Sequence, residues 1–443
     1  MEKTESYTSY MRSVLLGFLI FVPFFNLIEM GLPAGWSKII RYLDEVIILL
    51  LLPLAATQLL KNRSSLDQVH WIITIPFVLL IISGMVSGFV NGNPLFNTVI
   101  GLFDHVKNFI VIYLFAAFFT EQVYIKKVIR ALFVIGVIIA AVAVLQEVWA
   151  LFSVYILNRD MLDVDNYLWR KLPMKHNAAY FSVMWRCGLY RASGLTIHPN
   201  VMGVYSLLIL TVYLSYKKKA SPLAVIALIG GVFTSVSRIV YVAFVFLAGV
   251  WGVWKRKWFH VLIAVPFIIM MFCFQHEPDA DVTEMPVKNQ QGEYNPYSVH
   301  YRIYAKERAL TVWKDHVIVG AGPGMFGGPV AKTFDSPLYE KYNFTPNRAT
   351  TDTLDQFWPY SLAELGVVGT LFMAALLSCI SILFILRGLK SSDIELRNLW
   401  LGLSSFIFVV FIYTMGNGLN IAGSMFTYCA LAGICLGSRS KSG

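Results

Sequence analysis

Apolar residues run along this chain in blocks of about twenty, the length that crosses a bilayer as a helix. Twelve blocks stand at about 13–32, 43–60, 70–90, 97–119, 128–154, 200–216, 221–236, 238–254, 258–275, 359–386, 397–415 and 419–437. The polar turn Thr234-Ser-Val-Ser237-Arg238 separates two of them, and it reads equally as a kink in one helix. Most connections are short. Two are long, at about 155–199 and 275–358, and both are rich in aromatic and basic residues. The second closes with Asp352-Thr-Leu-Asp355-Gln-Phe-Trp-Pro-Tyr-Ser-Leu-Ala-Glu364-Leu-Gly366-Val-Val-Gly369, which runs straight into the next apolar block.

Composition agrees with the pattern. Of 443 residues, 57% are hydrophobic and 14% charged, against about 25% charged in soluble domains. Mean hydropathy is +0.63. A net charge of +10 invites a nucleic-acid partner, but its distribution excludes one. Eighteen of the 36 Lys and Arg residues sit in seven short segments that share one side of the predicted bundle. That bias places both termini in the cytoplasm and both long loops outside. The chain is therefore expected to be an all-α integral membrane protein with about twelve spans. Helices fill 1–274, an extracytoplasmic loop fills 275–358, and the last helices fill 359–443. Met1–Arg12 is polar and carries no small-residue cleavage site, so the first block is expected to be retained as a span. The five Cys form no metal-binding pattern and suit packing.

Four stretches have the residue types for chemistry. Arg191-Ala-Ser-Gly194-Leu-Thr-Ile-His198-Pro199-Asn200 breaks the backbone before a helix, beside a guanidinium that suits phosphate. A helix-entrance turn with a snorkelling Arg fits the same residues. Arg238, in an apolar region, is expected to face a water-filled cavity or an anion, or to cap an outer turn. His300-Tyr-Arg302 opens a helix over about 299–316 whose apolar stripe is Ile303, Leu310 and Val317. A basic helix face lying on the membrane fits equally. The turn Gly320-Ala-Gly322-Pro-Gly324-Met-Phe326 lacks the Lys-Ser/Thr of a phosphate-binding loop and is expected to re-aim the chain. Asp355 at a helix entrance reads as a general base or, like Asp352, as a cap. Asp104 and Lys107 are spaced for an i,i+3 pair.

In this order the stretches resemble the O-antigen ligase and polymerase family of membrane glycosyltransferases. The likeness lies in Arg191…Gly194…Pro199-Asn200, Ser237-Arg238, Arg302…Trp313…Gly320-Ala-Gly322-Pro-Gly324-Met-Phe326 and Asp355…Glu364-Leu-Gly366…Gly369. It covers roughly residues 185–370. The resemblance implies a GT-C-like fold, a bacterial cytoplasmic-membrane location and a polyprenyl-diphosphate-linked oligosaccharide as donor. It implies that Arg191 and Arg238 bind the donor diphosphate. Asn200, His300 and Arg302 are expected as further substrate-binding residues, and with cations neutralising the diphosphate leaving group no cofactor or metal is required. Asp355-Gln356 stands where the family often has His-Asn, and polymerases of the related shape-and-division family use an aspartate. Asp355 is then the implied catalytic base, with His300 and Glu364 next in line.

The expected reaction is attack by a hydroxyl of an acceptor glycan on the donor's anomeric carbon, which makes the protein a polysaccharide polymerase. A ligase would pass the glycan to a different acceptor. A flippase or transporter also fits twelve spans, but it would be expected to show repeat symmetry and mid-membrane polar breaks. The polar weight here lies on one outer face. A receptor-like protein would not need Arg238.

Overall fold

The computed structural model describes residues 2–25, 28, 32, 43–61, 71–159, 185–186, 188–196, 198–216, 221–254, 262–273, 299–344, 356–419 and 423–438. In chain order these form α1 (Glu2–Phe21), α2 (Leu43–Lys61), α3 (Trp71–Val90), α4 (Leu95–Phe118) and α5 (Gln122–Leu151). A two-stranded hairpin follows, β1 (Trp185–Arg186) and β2 (Leu189–Tyr190). Then come α6 (Pro199–Tyr216), α7 (Pro222–Thr234), α8 (Arg238–Trp254), α9 (Val265–Cys273) and α10 (Val299–Asp315). Two single-turn helices, α11 (Pro329–Thr333) and α12 (Pro337–Lys341), precede α13 (Phe357–Lys390), α14 (Ile394–Thr414) and α15 (Ser424–Gly437).

Every predicted block is occupied by a helix. Among the described residues, six helical stretches are long and apolar enough to cross a membrane: Trp71–Val90, Leu95–Phe118, Gln122–Ile156, Pro199–Tyr216, Phe357–Lys390 and Ile394–Thr414. Shorter apolar helices fill four more blocks, and α2 and α9 the remaining two. The protein is thus an all-α membrane protein with six candidate spans among the described residues. The break at 235–237 is a true end: α7 stops, Val236 takes φ +43°, and α8 starts afresh at Arg238.

Inside the bundle, α4 packs against α2, α3 and α15, and α13 against α3 and α14. α6 is wedged among α5, α7 and α14. α4 carries charge into this interior. Lys107 Nζ lies 2.9 Å from Asp104 Oδ1, the expected i,i+3 pair, and 2.8 Å from Glu45 Oε1 on α2. An ammonium in a low-dielectric interior needs such partners.

Residues 305–344 of the polar loop form a small apolar cluster with the start of α13. Ala305, Ala309 and Val312 of α10 pack with Ala321, Phe326, Ala331, Tyr339, Tyr342, Phe344 and Ala363. This corrects the expected stripe, because Ile303 and Val317 are exposed. The buried face of α10 is the one with small side chains, which lets the helix sit close on the glycine turn and on α13.

α13 has a flaw that sets the site. Gly366 takes φ +64° and ψ −169°, so the helix is interrupted there. Pro359 in the first turn is tolerated, since its missing N–H has no partner to lose. The groups freed at the break pair with the loop. Ala321 N donates to Ala363 O at 2.8 Å and Gly322 N to Glu364 O at 2.9 Å. Val367 N donates to Val317 O at 2.9 Å and Val368 N to Ile318 O at 3.1 Å. A broken helix in a membrane protein needs this kind of satisfaction from buried neighbours.

Candidate functional site

The hairpin turns at Gly188, φ +72°, so that Trp185 pairs with Tyr190 and Arg186 with Leu189. Tyr155 OH donates to Gly188 O at 3.0 Å. Beyond it, the 190–194 strip is clamped to the C-terminal end of α5. Tyr190 N donates to Glu147 Oε1 at 3.2 Å. The Gln146 amide pairs with the Gly194 backbone both ways, accepting at 2.9 Å and donating at 3.1 Å. Ala192 N donates to Thr234 O at 3.0 Å, which ties the strip to the end of α7.

Arg191 is fixed inside this frame, with 2% of its surface exposed. Its Nε donates to Ser235 O at 3.3 Å and its Nη2 to Asn200 Oδ1 at 2.7 Å. Asn200 N donates to His198 Nδ1 at 3.1 Å, and Asn200 Nδ2 to Asn417 Oδ1 at 3.3 Å. Phe357 N in turn donates to Asn417 O at 3.3 Å. A continuous path therefore runs from Arg191 through Asn200 and Asn417 to the first residue of α13, two positions after Asp355.

Positive charge gathers around Arg191. Burial, then the charges of Arg186 and Arg302, lower the proton affinity of its guanidinium. Guanidinium stays charged in proteins, so the pressure is toward holding an anion. His198 lies within the same field. Burial, then Arg191, Arg302 and Arg186, push its pKa down to about 3. The imidazole is neutral near pH 7. With Nδ1 accepting from Asn200, its Nε2 carries the proton and is a donor. The charges of three arginines, from the hairpin, the strip and α10, thus act on one buried, donor-rich place, a match for a phosphate-like anion.

Of the expected substrate residues, Arg191, Asn200 and Arg302 are brought together. Arg238 opens α8 from an exposed position, three residues beyond the Ser235 carbonyl that Arg191 holds. His300 lies in the first turn of α10, but its side chain is outside the described residues, as are Asp352 and Asp355 altogether. The N-cap of α13 is Gln356, without a side-chain cap bond. Glu364 is fully buried and engaged. Its Oε2 accepts from His105 Nε2 at 3.0 Å and Gly324 N at 2.9 Å, and its Oε1 from Phe326 N at 2.8 Å. Its side chain thus serves as a backbone receptor. Among the described residues, no three His, Cys, Asp or Glu side chains gather to hold a metal ion.

Sequence reasoning missed Arg186, His198 as a site residue in its own right, and Asn417. Arg186 had a signal, in the Cys-Gly pair flanked by Trp-Arg and Leu-Tyr that marks a tight hairpin. Asn417 had none, since it lies more than 200 residues from Asn200.

No curated protein matches this chain. Residues 223–374 match the family model described as O-Antigen ligase. The match runs from α7 to the middle of α13 and includes the 235–238 break, Arg302, the glycine turn and Glu364-Leu-Gly366. Over residues 223–374, then, this chain is similar to the O-antigen ligase family.

Proposed function

We propose that this protein is a metal-independent glycosyltransferase of the bacterial cytoplasmic membrane. It moves a glycan from a polyprenyl-diphosphate-linked donor to a sugar hydroxyl of an acceptor glycan, on the outer face. The observation that carries this reading is buried Arg191 held by Ser235 and Asn200 beside His198, with the charges of Arg186 and Arg302 acting on the same place. That cluster suits the two phosphates of a lipid diphosphate, and Arg238 extends it from the head of α8. The acceptor oxygen attacks the anomeric carbon as the bond from that carbon to the diphosphate oxygen breaks. Asp355 takes the hydroxyl proton, and the arginines hold the departing diphosphate's charge.

Asp355-Gln356, in place of the family's frequent His-Asn, favours polymerisation. The family description favours ligation to a different acceptor as the second reading. Purified protein supplied with lipid-linked repeat units tests both. Polymerisation gives a ladder of products on the same lipid carrier; ligation needs a second acceptor and gives one transfer. Turnover of neither kind, with donor bound, contradicts the reading.

A further inference from the structure

Glu364 lies 0% exposed inside the bundle, yet its three contacts reach two separate parts of the molecule. His105 is on α4, and Gly324 and Phe326 are on the glycine turn. The His105 ring stacks on Tyr360, one turn before Glu364, with centroids 4.7 Å apart. The α3–α4 link grips the same turn. Asn91 Nδ2 donates to Gly320 O at 2.9 Å, and Asn93 Nδ2 to Ala321 O at 2.8 Å. Ser87 Oγ donates to Gly320 O at 3.1 Å. Two backbone N–H groups and an imidazole converging on one carboxylate form charge-assisted bonds, the stronger kind.

What this fixes is the loop cluster. Phe326 belongs to the apolar cluster that includes Ala305 and Ala309 of α10. Arg302 lies one helical turn before Ala305, and its charge reaches Arg191 and His198. We propose that Glu364 is a positioning residue for the transfer: it anchors the glycine turn, and through the Phe326–Ala305 packing it sets where Arg302 stands relative to Arg191. This rests on the proposed donor-diphosphate reading of the arginine cluster.

A double-mutant cycle tests it, read as binding of polyprenyl diphosphate to the purified full-length protein. Glu364→Gln keeps the volume but turns an amide N–H toward one of the two backbone donors. It is expected to weaken binding by roughly tenfold, the scale of one lost charge-assisted bond. Arg302→Ala should weaken binding at least as much, and Glu364→Gln should then add nothing in the Arg302→Ala protein. A merely structural role would instead weaken both backgrounds equally, and that result overturns the proposal, as does unchanged binding by Glu364→Gln. If Glu364→Gln does not fold, His105→Asn replaces it. That change leaves both backbone bonds intact, and a smaller loss, again absent in the Arg302→Ala background, is expected. Normal binding by Arg302→Ala overturns this proposal and counts against Arg302 in the donor site. Loss in Arg302→Ala with full coupling absent overturns only the role of Glu364.

Discussion

The Nη2 of Arg191 donates to Asn200 Oδ1 at 2.7 Å, nine residues along the chain and across the start of α6. The same asparagine passes the connection on to Asn417 and the start of α13. One amide thus orients the deepest cation of the cluster while leaving it charged. Asn200→Ala should release Arg191 and weaken binding of polyprenyl diphosphate by about tenfold, the worth of one hydrogen bond to a charged group. Titration of the purified variant checks this. Wild-type affinity would show that Asn200 does not position Arg191.

The break in α13 is specified by one residue. A φ of +64° with ψ −169° belongs to a region that is essentially glycine-only. A Cβ there would also meet Gly320 N and the Ile318 carbonyl. Gly366→Ala should therefore destabilise the protein by about 1–3 kcal/mol from backbone strain alone. Denaturation in detergent reads the loss. Unchanged stability would mean that the helix closes over the break without cost.

His198 gives the fold a pH dependence of known sign. Its pKa is pushed from the ordinary 6.5 to about 3 by burial and then by Arg191, Arg302 and Arg186. Between those values the unfolded chain binds a proton that the folded chain refuses. Stability is therefore lost as pH falls from about 6.5 toward 3. The melting temperature should drop between roughly pH 7 and 5, and less steeply in His198→Gln. Parallel slopes in the two proteins would exclude His198 as the source.

The helices were legible because each apolar block is a local property of sequence; among the described residues, six of them are long and apolar enough to be candidate spans. Arg191 stood out because glycine and proline break the chain just before a helix, and the structure buries its side chain there. The frame of the site was not legible. Asn200 meets Asn417, and Gly320 meets Asn91 and Ser87, across separations that no local pattern encodes. Glu364 read as a spare base because sequence shows the carboxylate but not the two N–H groups pointed at it. The α10 stripe misled for a similar reason. Size and hydropathy pointed to Ile303 and Val317, whereas close packing selected Ala305 and Ala309.

Asp355 is expected to be the base. General-base catalysis contributes roughly 10²–10⁴-fold, so Asp355→Asn should lower turnover at least about 100-fold with donor binding intact. Asn caps a helix as well as Asp does, so a capping role predicts a silent change. Asp352→Asn is the companion. Loss there, with Asp355→Asn active, would move the base to Asp352; activity in both would turn attention to His300.

The most direct measurement follows release of polyprenyl diphosphate from a lipid-linked repeat unit by the purified protein, wild type beside Arg191→Lys. The arginine site predicts one polyprenyl diphosphate released for each glycosidic bond formed by wild type. Lys lacks the planar fork that Ser235 O and Asn200 Oδ1 hold in place. The variant should release it at least about tenfold more slowly, with the loss of one bidentate, charge-assisted contact. Release at the wild-type rate by Arg191→Lys, or bond formation without release, would contradict a donor diphosphate seated on these arginines.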